Sequence, residues 1–329
     1  MRRLLAEFEK QSFIQIVFPH ENSDWSAYLD EASETFVHLI LAISRFEPCL
    51  VVCDDVNRVR DYFSNCYNLT FVQCNTDDTW ARDSSGISII EDDEVKILNF
   101  NFNGWGNKFE AKLDNAMTAS LASHYATNVY PVDFVLEGGA IESDGAGALL
   151  STSECLLNFN RNGYVLKQEI EDILKKELGI ERVLWLHHGY LRGDDTDSHI
   201  DTLARFINEK SIMYVSCDDR SDEHFDALLK MKEELQQFTC KNGDAYNLIP
   251  LPMVEAKYYK KKRLPATYAN FLMLNDAVLV PTYDDINDEK AINIFKKSFP
   301  TRNIVPIDCS VLIRQHGSLH CVTMQFYKN

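Results

Sequence analysis

Residues 269–285 read ANFLMLNDAVLVPTYDD, and the order of elements in this stretch decides the fold class. Phe271 to Leu274 is apolar enough for a strand, Asn275-Asp276 is a tight-turn pair, and Ala277 to Thr282 forms a second strand. Asp284-Asp285 then precedes a helical pattern running to Phe299, with Ala291, Ile292, Phe295 and Phe299 on one face. Ile304 to Ile307 ends the module as a further short strand.

Working outward, the same order recurs. Ala140–Ile141, Ala148–Ser151 and the helix Gly163–Leu178 make one copy. Thr202–Ile207, Ile212–Cys217 and Ser221–Gln237 make another, and Ser85–Ile90, Val95–Phe100 and Ala111–Tyr125 a third. A fifth requires Ser318–Phe326 to pair with Phe13–Phe18 ahead of a helix Trp25–Phe46, so that both termini share a module. Modules of roughly 66 residues suit a ring of ββαβ units, none able to bury its own face alone. The same alternation also fits an open α/β sheet. Asp83, Glu137, His199, Asn270 and Cys321 each fall at the start of a module's first strand. In a ring, equivalent positions converge on the axis, so residues about 240 positions apart can face one pocket.

The chain has 329 residues, 45% of them hydrophobic, enough for a substantial core. Its net charge of −17, from 50 acidic and 33 basic residues, argues against nucleic acid or an anionic membrane as partner. The same charge favours solubility and attracts cations. Nine cysteines, scattered and without Cys-x-x-Cys, suggest neither a disulfide framework nor a zinc ribbon and fit a reducing, cytoplasmic setting. Glu7, Glu9 and Lys10 interrupt the apolar run that a signal peptide needs, and no stretch reaches the ~18 apolar residues of a membrane span. The basic run Lys257–Arg263 reads as a solvated loop or as a mobile lip over a site.

Taken singly, the chemical residues are ambiguous. Cys321 alone is most simply a buried core thiol. His199 with Asp201 two positions on would share one face of a strand, which suits a common site. His187-His188, adjacent, would point to opposite faces and do not make a metal pair. Trp80 and Asp83 offer a ring face and a carboxylate to a cation. Glu137-Gly138-Gly139 gives a carboxylate beside backbone free to turn or to approach a ligand. Together these are a thiol, an imidazole and several carboxylates, a set suited to a guanidinium, whose planar N–H fork matches carboxylate geometry.

The stretches FPHENSDW (18–25), WARDSSG (80–86), LEGGAIESDGAGALLSTSECLLNFNRN (136–162), DDTDSHIDTLARF (194–206), LPATYANFLMLNDAVLVPTYDD (264–285) and GSLHCVTMQ (317–325) complete the picture. Through them the chain resembles the agmatine deiminases and their bacterial peptidyl-arginine-deiminase-like relatives, among the guanidino-group-modifying enzymes. The resemblance spans nearly the whole chain. It implies a five-bladed ββαβ propeller (a pentein) with an axial site, formed by residues 1–329 as one catalytic domain. It also implies a hydrolase needing neither cofactor nor metal, with agmatine as the small cationic substrate. Carried over, Cys321 is the nucleophile and His199 the general acid/base. Asp83 and Asp201 grip the guanidinium, Glu137 orients and charges the imidazole, and Trp80 walls the pocket. Gly138 and Asp195 join the substrate-binding set, and a homodimer is expected. A peptidyl-arginine or other guanidine as substrate, an amidinotransferase, and a non-catalytic amine binder are the competing readings. Two departures from the family pattern flank the pocket. Ile313–Leu319 replaces a Gly-rich run, and Asp194-Asp195-Thr196-Asp197-Ser198-His199 replaces Asp-Glu-Thr-Asp-Gly-His.

Overall fold

The computed structural model describes residues 2–63 and 66–328. Among them, five sheets share one plan: two antiparallel strands, a helix, and a third strand parallel to the second. The first unit pairs Ile87–Glu91 with Glu94–Asn101, and helix Lys112–Ser120 leads to Val129–Val135. The second uses Glu142–Ser143, Ala148–Thr152, helix Lys167–Leu178 and Arg182–Leu186. The third uses Ala204–Asn208, Ser211–Ser216, helix Phe225–Leu235 and Asn247–Pro252. The fourth, built on residues 269–285, uses Leu272–Met273, Ala277–Thr282, helix Asp288–Ser298 and Asn303–Asp308. The fifth joins the two ends of the chain. Thr323–Phe326 runs antiparallel to Phe13–Val17, and helix Leu29–Ser44 carries the chain to Cys49–Cys53.

Burial follows position in the sheet. Cys49–Cys53 is buried throughout and Ala277–Thr282 nearly so, because both faces of these strands are covered. Third strands in the first, third and fourth units are partly exposed and contain Pro131, Pro250 and Pro306, as strands near a sheet edge tolerate.

Several boundaries differ from the sequence reading. Helices begin later: the second unit's starts at Lys167, where Glu169 caps the Leu166 N–H at 2.8 Å, and stops at left-handed Gly179. Residues 138–140 form a 3-10 turn, so the strand expected at Ala140–Ile141 is Glu142–Ser143. Arg2–Leu4 adds to the first sheet and Leu69–Gln73 to the fifth, both unanticipated. His187 and His188 follow a strand instead of lying on one, and their rings meet Ser153 and Glu234. The Lys257–Arg263 run is a hairpin, Tyr258–Tyr259 against Lys262–Arg263, tied by ion pairs from Lys257 to Asp285 and from Arg263 to Asp222. No helix among the described residues is long and apolar enough to cross a membrane.

Candidate active site

The five chemical positions lie one short turn before the first strands, not on them. Asp83 is within the turn Ala81–Ser84, Glu137 and His199 start the 3-10 turns Gly138–Ala140 and Ile200–Thr202, and Asn270 and Cys321 each lead into a strand. Turns leave backbone groups free of the sheet ladder, and these stitch the units together. The Arg82 N–H donates to the Cys321 carbonyl at 3.1 Å, and the Gly139 N–H to Asp83 Oδ1 at 2.9 Å. Asn270 Oδ1 accepts from the His320 N–H at 2.9 Å and lies 3.3 Å from Cys321 Sγ.

Cys321 borders a cavity of about 740 Å³ whose walls include Trp80, Asp83, Trp105 and Asp195. Asp24, Asp77, Asp78, Glu110 and Asp114 add further carboxylates, against Lys262 and His316. His199, Glu137 and Asp201 are wholly buried around Asp83 and Cys321. His199 Nδ1 is 3.6 Å from Asp83 Oδ1 and Nε2 is 3.8 Å from Glu137 Oε2, both beyond hydrogen-bond length. Among the described residues, neither ring nitrogen has a hydrogen-bond partner, nor does Asp201 Oδ1. Cys321 Sγ lies 3.8 Å from Asp201 Oδ2. The expected site residues thus converge, with one exception. Gly138 packs against the Arg82 backbone and lines a separate small cavity, so it is no part of this pocket wall.

Two glycines have work here that a side chain would prevent. A Cβ on Gly139 would lie 2.7 Å from both Asp83 Oδ1 and His199 Nδ1, and one on Gly317 would enter the Trp80 ring at 2.1 Å. The two family departures include left-handed positions instead: Ser198 has φ 61° and His316 φ 68°. His316 offsets that strain with a contact from Nδ1 to the Gly193 carbonyl.

Electrostatics polarise the site. Burial, then Asp201 and Asp83, pushes the Cys321 thiol well up. Burial works against charging His199, but Asp83, Cys155 and Glu137 outweigh it and hold the ring as imidazolium. Burial raises Asp83 to about 6 despite His199. Against burial, His199 and Arg161 keep Glu137 below the usual carboxylate range. Burial lifts Asp195 to about 6 and Asp78 and Asp114 to about 7.

Sequence reasoning missed two supports, Arg161 and Trp105. Arg161 Nε donates to both Glu137 oxygens, at 2.9 and 2.8 Å, and Nη1 to Asp197 at 2.7 Å. Trp105 Nε1 donates to Asp83 Oδ2 at 2.9 Å from a left-handed backbone, and the glycines either side of it were the available signal. Asn270 stood out by position alone, with no role to attach to it. Metal donors exist in Glu137–Cys155–His199 and in Glu7–Glu142–His320. In each, arginine already occupies the carboxylates, Arg161 in the first and Arg205 in the second, so neither set suits a cation.

A family model for Porphyromonas-type peptidyl-arginine deiminase matches residues 3–326. The chain belongs to this family. Family members of known structure superpose closely. A Cys-to-Ser variant of the C. jejuni agmatine deiminase with substrate bound is 40% identical, covers 100% of this chain and 97% of its own, and has TM-score 0.95. A Porphyromonas gingivalis protein provisionally described as an arginine deiminase is 46% identical with TM-score 0.95, covering 99% and 98%. The agmatine deiminase of Enterococcus faecalis is 27% identical with TM-score 0.92, covering 99% and 96%.

Proposed function

We propose that the chain is an agmatine deiminase, hydrolysing agmatine to N-carbamoylputrescine and ammonia through a covalent intermediate on Cys321, within a single catalytic domain. The observation that carries this is the cavity beside Cys321, whose lining includes seven carboxylates. Agmatine is cationic at both ends, and Asp195 with the other wall acids suits its ammonium. The five units of one plan support a five-bladed propeller around this pocket, with one turn from each unit reaching the axis.

In this reading Asp83 and the free Oδ1 of Asp201 hold the guanidinium nitrogens and present the central carbon to Cys321. The thiol loses its proton, to solvent, only when that cation is in place. Thiolate attack forms a C–S bond and a tetrahedral adduct. The His199 imidazolium gives its proton to the departing nitrogen, which leaves as ammonia, and an S-alkylthiouronium remains. His199, now neutral, takes a proton from water as the hydroxide adds to carbon. Collapse breaks the C–S bond and frees the ureido product and the thiol. Glu137, held by Arg161, keeps His199 charged and oriented. N-Carbamoylputrescine serves putrescine formation.

Lys262 at the cavity favours a second reading, in which it receives the carboxylate of arginine or the backbone of a peptidyl-arginine. Ammonia release from agmatine, arginine and a peptidyl-arginine separates them. Agmatine should lead by at least ~100-fold in kcat/KM, the scale of one additional ion pair together with one buried carboxylate spared from going unpaired. Equal turnover of arginine overturns the substrate. Mass spectrometry of quenched enzyme should place the adduct on Cys321, and an adduct on another cysteine overturns the nucleophile.

A further inference from the structure

The deiminase chemistry leaves unused a second group of buried charges. Glu7, in the segment between Arg2–Leu4 and Phe13–Val17, inserts its carboxylate among residues from several units. Its Oε1 accepts from the Met273 N–H at 2.8 Å, and its Oε2 from Arg205 Nη2 at 2.7 Å, with Arg82 Nη2 at 3.5 Å. The same Oε2 is 2.6 Å from His320 Nε2, and His320 Nδ1 is 2.7 Å from Asp201 Oδ2. His320 directly precedes Cys321, so this line of contacts runs from the N-terminal segment to the nucleophile.

We propose that Glu7 and His320 are positioning residues for the reaction: the chain Glu7–His320–Asp201 holds two hydrogens, committing one Asp201 oxygen to His320 and leaving the other for substrate. This rests on the deiminase reading, in which Asp201 grips the guanidinium. Ionised carboxylates only accept, and a neutral imidazole has a single N–H. Two contacts this short therefore need two hydrogens, since a bare ring nitrogen facing a bare oxygen is repulsive. The chain cannot relax, because all three residues are buried and Glu7 is anchored at both oxygens. Asp201 Oδ1, buried and without a hydrogen-bond partner among the described residues, is the oxygen left over.

The charged groups facing His320 are Glu7, Glu142, Asp201, Arg205 and Arg82. Burial and the two guanidinium groups bring the ring's pKa below its ordinary value, and Glu7, then Asp201, offset only part of that; it is the two short contacts that call for the second hydrogen. Glu7→Gln removes the main retaining charge, while its amide can still donate to the bared Nε2. Asp201 then adjoins a neutral ring, and the surroundings of Cys321 become more negative. Thiolate formation becomes harder while cation binding is not weakened.

The test is kcat and KM for agmatine against pH in Glu7→Gln, alongside a thermal melt. The expected result is a kcat about tenfold lower with KM unchanged or lower, and an acid limb moved up by about half a pH unit or more. Wild-type kcat, KM and limb position in the variant overturn the proposal and leave the deiminase reading standing. A higher KM with a lower Tm and an unmoved limb also overturns it, because that pattern marks a merely structural residue. No ammonia release by the unmodified protein from any guanidino compound overturns the deiminase reading itself. Should Glu7→Gln not fold, neutron diffraction on the unmodified protein decides: a hydrogen in both His320 contacts is expected, and a contact without one overturns the proposal.

Discussion

Arg161→Met is the sharpest test of how the site is held together. Arg161 and Glu137 are both fully buried, and the guanidinium bridges both carboxylate oxygens. Removing one member of a buried pair typically costs ~3–5 kcal/mol, because the other charge stays behind without a partner. Asp197 loses an interaction too, but Lys108 at 2.7 Å still serves it, so the main cost is at Glu137. For a chain of this size, that corresponds to a Tm lower by about 4–7 °C. The pH dependence gives the sign. In the unmodified protein Glu137 is depressed in the folded state, so its stabilisation is present above the unfolded value and is lost as pH falls through the folded one. Without Arg161, only His199 is left to oppose burial, and the folded pKa rises. The variant's deficit should then be greatest near pH 8 and shrink toward pH 5, as Glu137 takes up a proton. Urea unfolding at both pH values measures this, and adding Glu137→Gln should recover at least half of the loss. A deficit independent of pH, unrelieved by Glu137→Gln, would refute the reasoning.

Three further outcomes are expected. Gly139→Ala drives a methyl group between Asp83 and His199 and should lower kcat by at least ~100-fold, as for loss of a general acid/base, while near-normal turnover would mean the turn shifts freely. Asp83, raised to about 6, must be ionised to hold a cation, so kcat/KM should fall as pH drops below that value. That limb should disappear in Asp83→Asn, and its persistence there assigns it elsewhere. Asp195→Asn should raise KM for agmatine more than it lowers kcat, since the contact is far from the reacting carbon; a pure kcat effect in steady-state kinetics contradicts a role at the ammonium end.

The fold was legible wherever local chemistry dictates local structure. Ala277–Thr282 forms the strand expected of it, and Ser318–Phe326 does meet Phe13–Phe18 through Thr323–Phe326. The five chemical positions were found by equivalence, but their backbone was misread as strand. A period-two pattern says nothing of the 3-10 turn in which His199 and Asp201 share a site without sharing a strand face. Arg161 was illegible because nothing in Asn158–Asn162 indicates which carboxylate its guanidinium will meet. Glu7 reads only as an interruption of an apolar run, and its charged partners Arg82, Arg205 and His320 come from distant segments.

The charge arrangement has a consequence for turnover. Cys321 is held as a thiol by burial and two carboxylates, so the empty site should be a poor nucleophile. A guanidinium about 4 Å from sulfur supplies ~4 kcal/mol at an effective dielectric constant near 20, which is about 3 pK units. In the proposed deiminase reaction, substrate binding and thiolate formation would then be one event, which neutral amines or ureas would not trigger. The ureido product of that reaction is uncharged at its reacted end, so the thiol would regain its proton and the product would lose its hold as the reaction ends. Thiolate absorbance in the ultraviolet, with Cys321→Ala as blank, should be absent at neutral pH in the free enzyme and rise on adding a non-hydrolysable guanidinium compound. A thiolate already present in the free enzyme would refute this coupling and return the activation of Cys321 to His199 alone.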